Sequence, residues 1–269
     1  MRSKKIYRLV FLLGCLNFFV AGSVINATIN NPQNLENPFL DPVIKAHVTP
    51  YLLPSEHPMK ATLDSIFSQS RVLENERTLI DAGFVVIAGP MPYSFVTVVR
   101  HPAIPGYVFK LYLDSESRCR KQIPNWSWLV RRCMGARGIK KIIKRKHIRR
   151  FLVPDKWLYI VPPYPYPSIL NPQPIILMET DMEPESQAVT RDMWRKGITT
   201  KHLDELYSIL KHGYGGHGVI NLVSNVPFTK KRKFAFTDTE DPKATLNLKH
   251  ICTYLSFEMA NYWMDLINQ

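Results

Sequence analysis

Three short apolar runs, close together in the sequence, constrain the fold of this chain more than any other feature. They span residues 84–88, 93–100 and 107–113, and they have the length and the β-branched and aromatic content of strands. The connectors between them are brief and rich in proline and glycine, which is typical of turns. The sequence therefore predicts an antiparallel meander of three strands.

The rest of the chain adds helices and further strands to this meander. Apolar spacing at helical periodicity predicts helices at 59–82, 200–212 and about 246–266, and two more within 118–150 that join near Gly135 and Gly138. Apolar runs predict strands at 157–161 and 174–178, and a hairpin of 226–229 and 234–237 around the turn 230–233. The predicted fold class is α+β.

The first 23 residues have the pattern of a secretory signal peptide. A basic start precedes an apolar run at 9–22 and the small residues Ala21, Gly22 and Ser23. This run is shorter than the roughly 20 residues that cross a bilayer, so we expect export without a transmembrane span. Two alternatives are an uncleaved N-terminal anchor and a lipobox that ends at Cys15, where the cysteine would be acylated. The protein would then be periplasmic, secreted or lipid-anchored outside the cytosol.

After the signal, the chain divides into an arm and one domain. Residues 24–57 are rich in asparagine and proline with little periodicity, which predicts an extended N-terminal arm. Residues 58–269 are long enough for one domain with a substantial core.

The net charge of +13 comes from one stretch of the chain. Between Arg118 and Arg150 there are thirteen lysines and arginines and no acidic residue. Such a cluster can contact phosphates, an acidic protein partner or anionic lipid headgroups. The alternative is a solvated helical face that only keeps the protein soluble. Nucleic acid is the least favoured partner, because the stretch has no recognisable nucleic-acid module.

Lys110 is the first candidate site residue. Its neighbours at 107–113 are all apolar or aromatic, so a strand covered on both faces would bury the ammonium group and require a carboxylate or a bound anion beside it. The alternative is an edge strand from which Lys110 reaches solvent.

The predicted hairpin brings two further candidates together. Asn225 precedes its first strand and Asp238 follows its second, so both side chains lie at one end of the hairpin. Amide and carboxylate oxygens in that arrangement could hold a divalent cation beside a phosphate chain. Taken separately, Asn225 is more often a turn residue and Asp238 more often a cap.

Together these features resemble the protein-kinase-like fold over about 84–240. The run around Lys110 resembles the strand-three lysine motif, and residues 174–182, with Glu179, resemble strand five and the hinge. Asn225 and Asp238 occupy the positions of the two metal ligands. The resemblance implies a small lobe at about 84–180, a reduced helical large lobe at about 181–269, and ATP and Mg²⁺ bound by these four residues.

The chain also departs from the family pattern. Ile220 stands where the catalytic aspartate is expected, with His217 and Asn221 as the nearest polar residues, and the glycine-rich loop is reduced to Gly89. Three functions remain open. They are a catalytically degenerate kinase-like domain that binds a partner or a phosphate-bearing ligand, an active atypical phosphotransferase, and a basic exported protein that adheres to anionic surfaces.

Overall fold

The computed structural model describes residues 37–90, 92–167, 171–212, 220–240 and 246–269. The predicted signal peptide and Cys15 lie outside these ranges. The fold is α+β, as predicted: a five-stranded antiparallel sheet is followed by a helical portion. The helices are α1 (Pro42–Val48), α2 (Lys60–Gln69), α3 (Glu76–Asp81), α4 (Asn125–Lys146), α5 (Gln187–Lys196), α6 (Thr200–Leu210), α7 (Leu222–Asn225) and α8 (Phe257–Ile267). Short 3₁₀ helices occupy Thr49–Tyr51, Arg120–Gln122 and Leu248–Tyr254.

The sheet contains the predicted meander. Its strands are β1 (Val85–Ala88), β2 (Thr97–Arg100), β3 (Tyr107–Leu111), β5 (Lys156–Ile160) and β6 (Ile175–Thr180), in the order β1-β2-β3-β6-β5. All neighbouring strands are antiparallel. β3 is therefore the central strand, and the alternative of an edge strand at Lys110 is wrong.

Helices cover both faces of the sheet. On one face, Phe109 and Met178 pack with Leu63, Phe67 and Leu79 of α2 and α3. On the other face, a second buried cluster joins the sheet to α1 and α4, and its members include Val48, Tyr112, Trp128, Leu158 and Leu177. Side chains of β3 are consequently buried on both faces of the sheet, in agreement with the apolar run of this strand.

The basic stretch forms one helix where two were predicted. α4 runs without interruption for 22 residues and contains both Gly135 and Gly138. A glycine within a helix costs only about 1 kcal/mol relative to alanine, which tertiary packing can offset. The helix ends at Lys146, and the left-handed backbone of its C-cap, His147 (φ 54°), turns the chain toward the next strand.

Two other predicted helices are divided by local caps. In the range 59–82, α2 ends at Gln69, and α3 starts after Asn75, which forms a capping box with Thr78. In the range 246–266, a 3₁₀ helix precedes α8, where the Ser256 hydroxyl accepts from the backbone of Met259. α5 was not predicted.

Part of the range predicted as an extended arm is helical. Asp41 caps α1, whose residues Ile44 and Val48 are buried. The Leu53 N–H then donates to the carbonyl of Leu158 at 2.9 Å, so this segment covers the outer edge of β5. The range 37–57 is thus anchored to the sheet through a few buried residues: Leu40, Ile44, Val48 and Leu53.

The helical portion has its own core around the range of the predicted hairpin, where 234–235 form a strand and 226–229 form only isolated bridges. β7 (Phe234–Ala235) pairs in parallel with β4 (Phe151–Leu152), and Phe234 also forms an antiparallel bridge with Phe228. The ring of Trp194 lies 4.0 Å from that of Phe234, and its Nε1 donates to the carbonyl of Val226. No helix in the part of the chain just described is both long and apolar enough to cross a bilayer.

A buried ion pair lies just after the end of β3. Arg71 donates to both carboxylate oxygens of Asp114, at 2.7 and 2.9 Å, and Asp114 also accepts from the backbone N–H of Gln173. Both side chains are almost completely buried, at 4% and 0% exposure. This pair joins the end of β3 to the segments before α3 and β6.

We predict that Asp114→Asn lowers the free energy of unfolding by about 3 kcal/mol, because it leaves the Arg71 charge buried and uncompensated. The control is Asp81→Asn, which breaks an exposed ion pair with Arg77 and should cost less than about 0.5 kcal/mol. Urea unfolding measures both values. Equal losses in the two variants would contradict the assignment.

Candidate functional site

Two buried lysines on the same face of the sheet share one carboxylate. Lys110 of β3 and Lys156 of β5 lie 3.1 and 2.8 Å from the two oxygens of Glu179 in β6. The strand register causes this, because Lys156 is directly opposite Glu179 and Lys110 is its diagonal neighbour. The Lys156 side chain is only 1% exposed. Lys110 therefore has the countercharge that its apolar surroundings require.

A backbone carbonyl just after β7 provides a further hydrogen-bond acceptor to both lysines. The carbonyl oxygen of Thr237 accepts from Lys110 Nζ at 2.7 Å and from Lys156 Nζ at 3.0 Å. Since the lysines outnumber the carboxylate, this carbonyl dipole supplies negative potential that Glu179 alone does not. The contact fastens the segment after β7 to the sheet.

A buried arginine of α4 holds the next residues of that segment. Arg132, only 1% exposed, forms an ion pair with Glu240, which also binds Arg120. Arg132 Nε lies 3.5 Å from Asp238 Oδ1. We refer to Lys110, Lys156, Glu179, Arg132, Asp238 and Glu240 as the charge cluster. Asp238 is its most exposed member, with 32% of the side chain accessible.

The cluster depends on a close approach between α4 and the segment 237–240. The Thr239 hydroxyl donates to the carbonyl of Arg132 at 2.7 Å. A Cβ atom at Gly135 would lie 1.8 Å from the carbonyl oxygen of Thr239, which is much closer than any real contact. Gly135 is thus required where the segment crosses the helix.

Burial and charge shift the pKa in opposite directions at Glu179, Asp238 and Lys156. Burial by itself would raise the pKa of Glu179, but Lys110 and Lys156 hold it below its ordinary value. Burial would also raise the pKa of Asp238, and Arg132, Lys110 and Lys156 lower it. For Lys156, burial dominates and lowers the pKa to about 8, although Glu179 opposes the shift. Both carboxylates are therefore ionised at neutral pH.

The two predicted metal ligands lie next to each other in the structure. The carbonyl of Asn225 accepts from the backbone N–H groups of Thr237 and Asp238, at 3.0 and 3.5 Å. The Asn225 side-chain oxygen accepts from Ser224. Across the described ranges, no group of three or more histidine, cysteine, aspartate or glutamate side chains is arranged to hold a metal ion. A cation here would rely on Asp238, Asn225 and oxygens from its own ligand.

The residues nearest to the expected catalytic base have structural roles. Ile220 is 1% exposed and belongs to the core of the helical portion. The side chain of Asn221 accepts from the backbone of Val223 and Ser224 and caps α7. His217 lies outside the described residues.

The structure brings Lys110, Glu179 and Asp238 into one cluster, with Asn225 beside it. Lys156, Arg132, Glu240 and the Thr237 carbonyl were not predicted. Two signals were present: Lys156 begins an apolar strand, as Lys110 interrupts one, and Arg132 is four residues after the buried Trp128, on the same face of a helix.

Internal contacts engage much of the stretch between Arg118 and Arg150. Ion pairs between described residues link Arg118 with Glu116, Arg120 and Arg132 with Glu240, Lys140 with Asp155, and Arg150 with Glu205. Arg137 lies over the ring of Tyr51. A count of charges along the sequence therefore overstates the basic surface that a partner could reach.

The chain matches no protein-family model, and no curated protein matches it.

We predict that Gly135→Ala lowers the free energy of unfolding by about 1–3 kcal/mol, because the new methyl group must displace the Thr239 carbonyl. Lys141→Ala, at an exposed position of the same helix, is the control and should change stability by less than about 0.5 kcal/mol. Urea unfolding compares the two. If Gly135→Ala were as stable as the wild type, the segment 237–240 would not lie against α4.

We also predict a pH dependence from Lys156. Its pKa falls from an ordinary 10.5 to about 8 on folding, so the unfolded chain binds more protons between these values, and stability rises with pH across that window. Relative to Lys156→Met, the wild type should gain about 1–2 kcal/mol between pH 7.5 and 9.5. Urea unfolding at several pH values measures this difference. In Glu179→Gln, stability should begin to rise at a lower pH, because the carboxylate no longer opposes the effect of burial on Lys156. If the difference in stability between the wild type and Lys156→Met stayed constant with pH, Lys156 would keep its proton across this range.

Proposed function

We propose that this protein is a kinase-like, catalytically inactive domain that acts outside the cytosol and binds a partner or a phosphate-bearing ligand. The order of its elements supports the likeness: a meander with a lysine in its third strand, a long helix, two more strands, and a hairpin flanked by Asn225 and Asp238. The export pattern of residues 1–23 supports the location.

The coordination of Lys110 is the observation that carries the proposal of inactivity. In phosphotransferases of this kind, the lysine binds nucleotide phosphates. Here Glu179 neutralises the ammonium group, and the carbonyl of Thr237 accepts from it. A phosphate at this position would have to displace that carbonyl. The carbonyl is the distinguishing contact, because active kinases also pair this lysine with a glutamate. The site is therefore better suited to holding two parts of the fold together than to positioning ATP.

The surroundings of Ile220 agree with this interpretation. A general base must reach the proton that it removes, whereas Ile220 is apolar and buried in the core. Asn221 has no basic side chain and is engaged as a helix cap. Neither residue could accept a proton from a substrate hydroxyl group.

One observation favours the second candidate, an active atypical phosphotransferase. Asp238 stays ionised and about a third exposed, and its backbone N–H donates to the carbonyl of Asn225, which keeps the two residues adjacent. ATP and Mg²⁺ would then bind at the exposed side of Asp238. Lys110 would have to exchange the Thr237 carbonyl for a phosphate oxygen during binding.

We predict no phosphate transfer from ATP by the full chain in the presence of Mg²⁺ or Mn²⁺, either to itself or to general protein substrates. Radiolabel incorporation measures this for the wild type, Asp238→Asn and the exposed control Asp265→Asn. The three proteins should be indistinguishable. Incorporation that Asp238→Asn abolishes and Asp265→Asn retains would establish the active enzyme and refute the proposal.

A further inference from the structure

The parallel pairing of β4 with β7 brings together two basic segments that are far apart in the sequence. The first, the helix-end segment, contributes Lys141, Lys144, Lys146 and Arg149 from the end of α4 and the residues after it. The second, the hairpin tip, contributes Lys230, Lys231, Arg232 and Lys233. All eight side chains are exposed.

Backbone contacts fix the distance between the two segments. The Phe234 N–H donates to the carbonyl of Arg150 at 3.2 Å, and the register pairs Phe151 with Phe234. Neighbouring strands lie about 4.8 Å apart, so Arg149 and Lys233 leave the same end of this two-stranded sheet side by side. Lys146 is only three residues before Arg149, which limits their separation to about 11 Å.

The hairpin tip is held in shape by its own hydrogen bonds. The N–H and the hydroxyl of Thr229 both donate to the carbonyl of Lys233, at 3.0 and 2.8 Å, and the Arg232 N–H donates to the carbonyl of Thr229. The four charges are therefore presented by a fixed turn rather than by a loose loop.

The eight cations differ in their pairing from the other cations nearby. None of them forms an ion pair with a carboxylate among the described residues, whereas the neighbouring Lys140 and Arg150 do. Two acidic residues lie close to these segments: the backbone carbonyl of Glu183 accepts from the Lys230 N–H, and the Glu205 carboxylate is engaged by Arg150. The surface thus keeps a large excess of positive charge.

We infer that the helix-end segment and the hairpin tip form one peripheral binding surface for anionic phospholipid membranes. Clusters of four to eight lysines and arginines attract anionic headgroups without a defined geometry. Six of the eight residues are lysines, which act as mobile point charges rather than as bidentate ligands of one particular phosphate. This inference does not depend on the proposed inactivity of the charge cluster.

The composition of the two segments favours a lipid surface over nucleic acid. Neither 141–149 nor 230–233 contains phenylalanine, tyrosine or tryptophan, so unpaired bases would find no ring on which to stack. The apolar residues nearest to the charges, Ile142, Ile148 and Phe234, are buried. Attraction would therefore be electrostatic, without insertion into the bilayer, and it should fall steeply with salt.

Sedimentation with vesicles tests the inference on the full chain. Vesicles of phosphatidylcholine alone report any binding through the apolar N-terminal run, and vesicles that also contain phosphatidylserine report the basic surface. The variants are Lys→Gln and Arg→Gln at all four helix-end positions, the same change at all four tip positions, and a fourfold control at exposed or half-exposed cations elsewhere: Lys45, Arg77, Lys121 and Lys249.

Each segment variant should bind phosphatidylserine vesicles at least about tenfold more weakly, and the control should change by less than about twofold. Wild-type binding should weaken strongly between about 50 and 200 mM salt. Equal binding by wild type and both segment variants would overturn the inference, as would the absence of binding at low salt. Retention of duplex DNA at higher salt than vesicles would assign the surface to nucleic acid instead.

Discussion

The burial of Glu179 between two lysines is the interaction on which the rest of this structure depends. Lys110 and Lys156 occupy one face of a sheet that is covered on both sides, and neither could lie there without a countercharge. One carboxylate does not balance two ammonium groups, and the carbonyl of Thr237 and the carboxylate of Asp238 supply further negative potential. The sheet is therefore complete only when the chain after β7 has docked on it, and the helical portion is joined to the sheet by electrostatics as well as by packing.

The fold class, the meander and the need for a partner at Lys110 could be predicted because each follows from local apolar patterns. The identity of the partner could not, since it depends on a diagonal contact between β3 and β6 that only the register determines. Glu179 is paired with Lys110 and Lys156, and its binding to a ligand stays a prediction. The division of the range 59–82 into two helices follows from the Asn75 capping box, a local signal that outweighed continuous apolar spacing.

The basic stretch illustrates how burial divides residues of one chemical type. Arg132 and Lys144 lie twelve positions apart in the same helix, yet one is inside the protein and the other is exposed. Sequence composition treats the two as equal contributions to net charge. Helical spacing relative to Trp128 separates them, because it places Arg132 on the face that packs on the sheet.

The contacts of residues 237–240 also have a consequence for the order of folding. Lys110 and Thr237 are separated by 127 positions, and Arg132 and Glu240 by 108, whereas the meander forms from neighbours. Long-range contacts close large loops and form late, so we expect this segment to dock after the sheet and α4 have assembled. Until then, Lys110 and Lys156 share only Glu179, and Arg132 lacks Asp238 and Glu240. Because of this charge imbalance, we expect the sheet and α4 to be unstable on their own. The docking of residues 237–240 would then make the sheet and the helical portion fold in one cooperative transition.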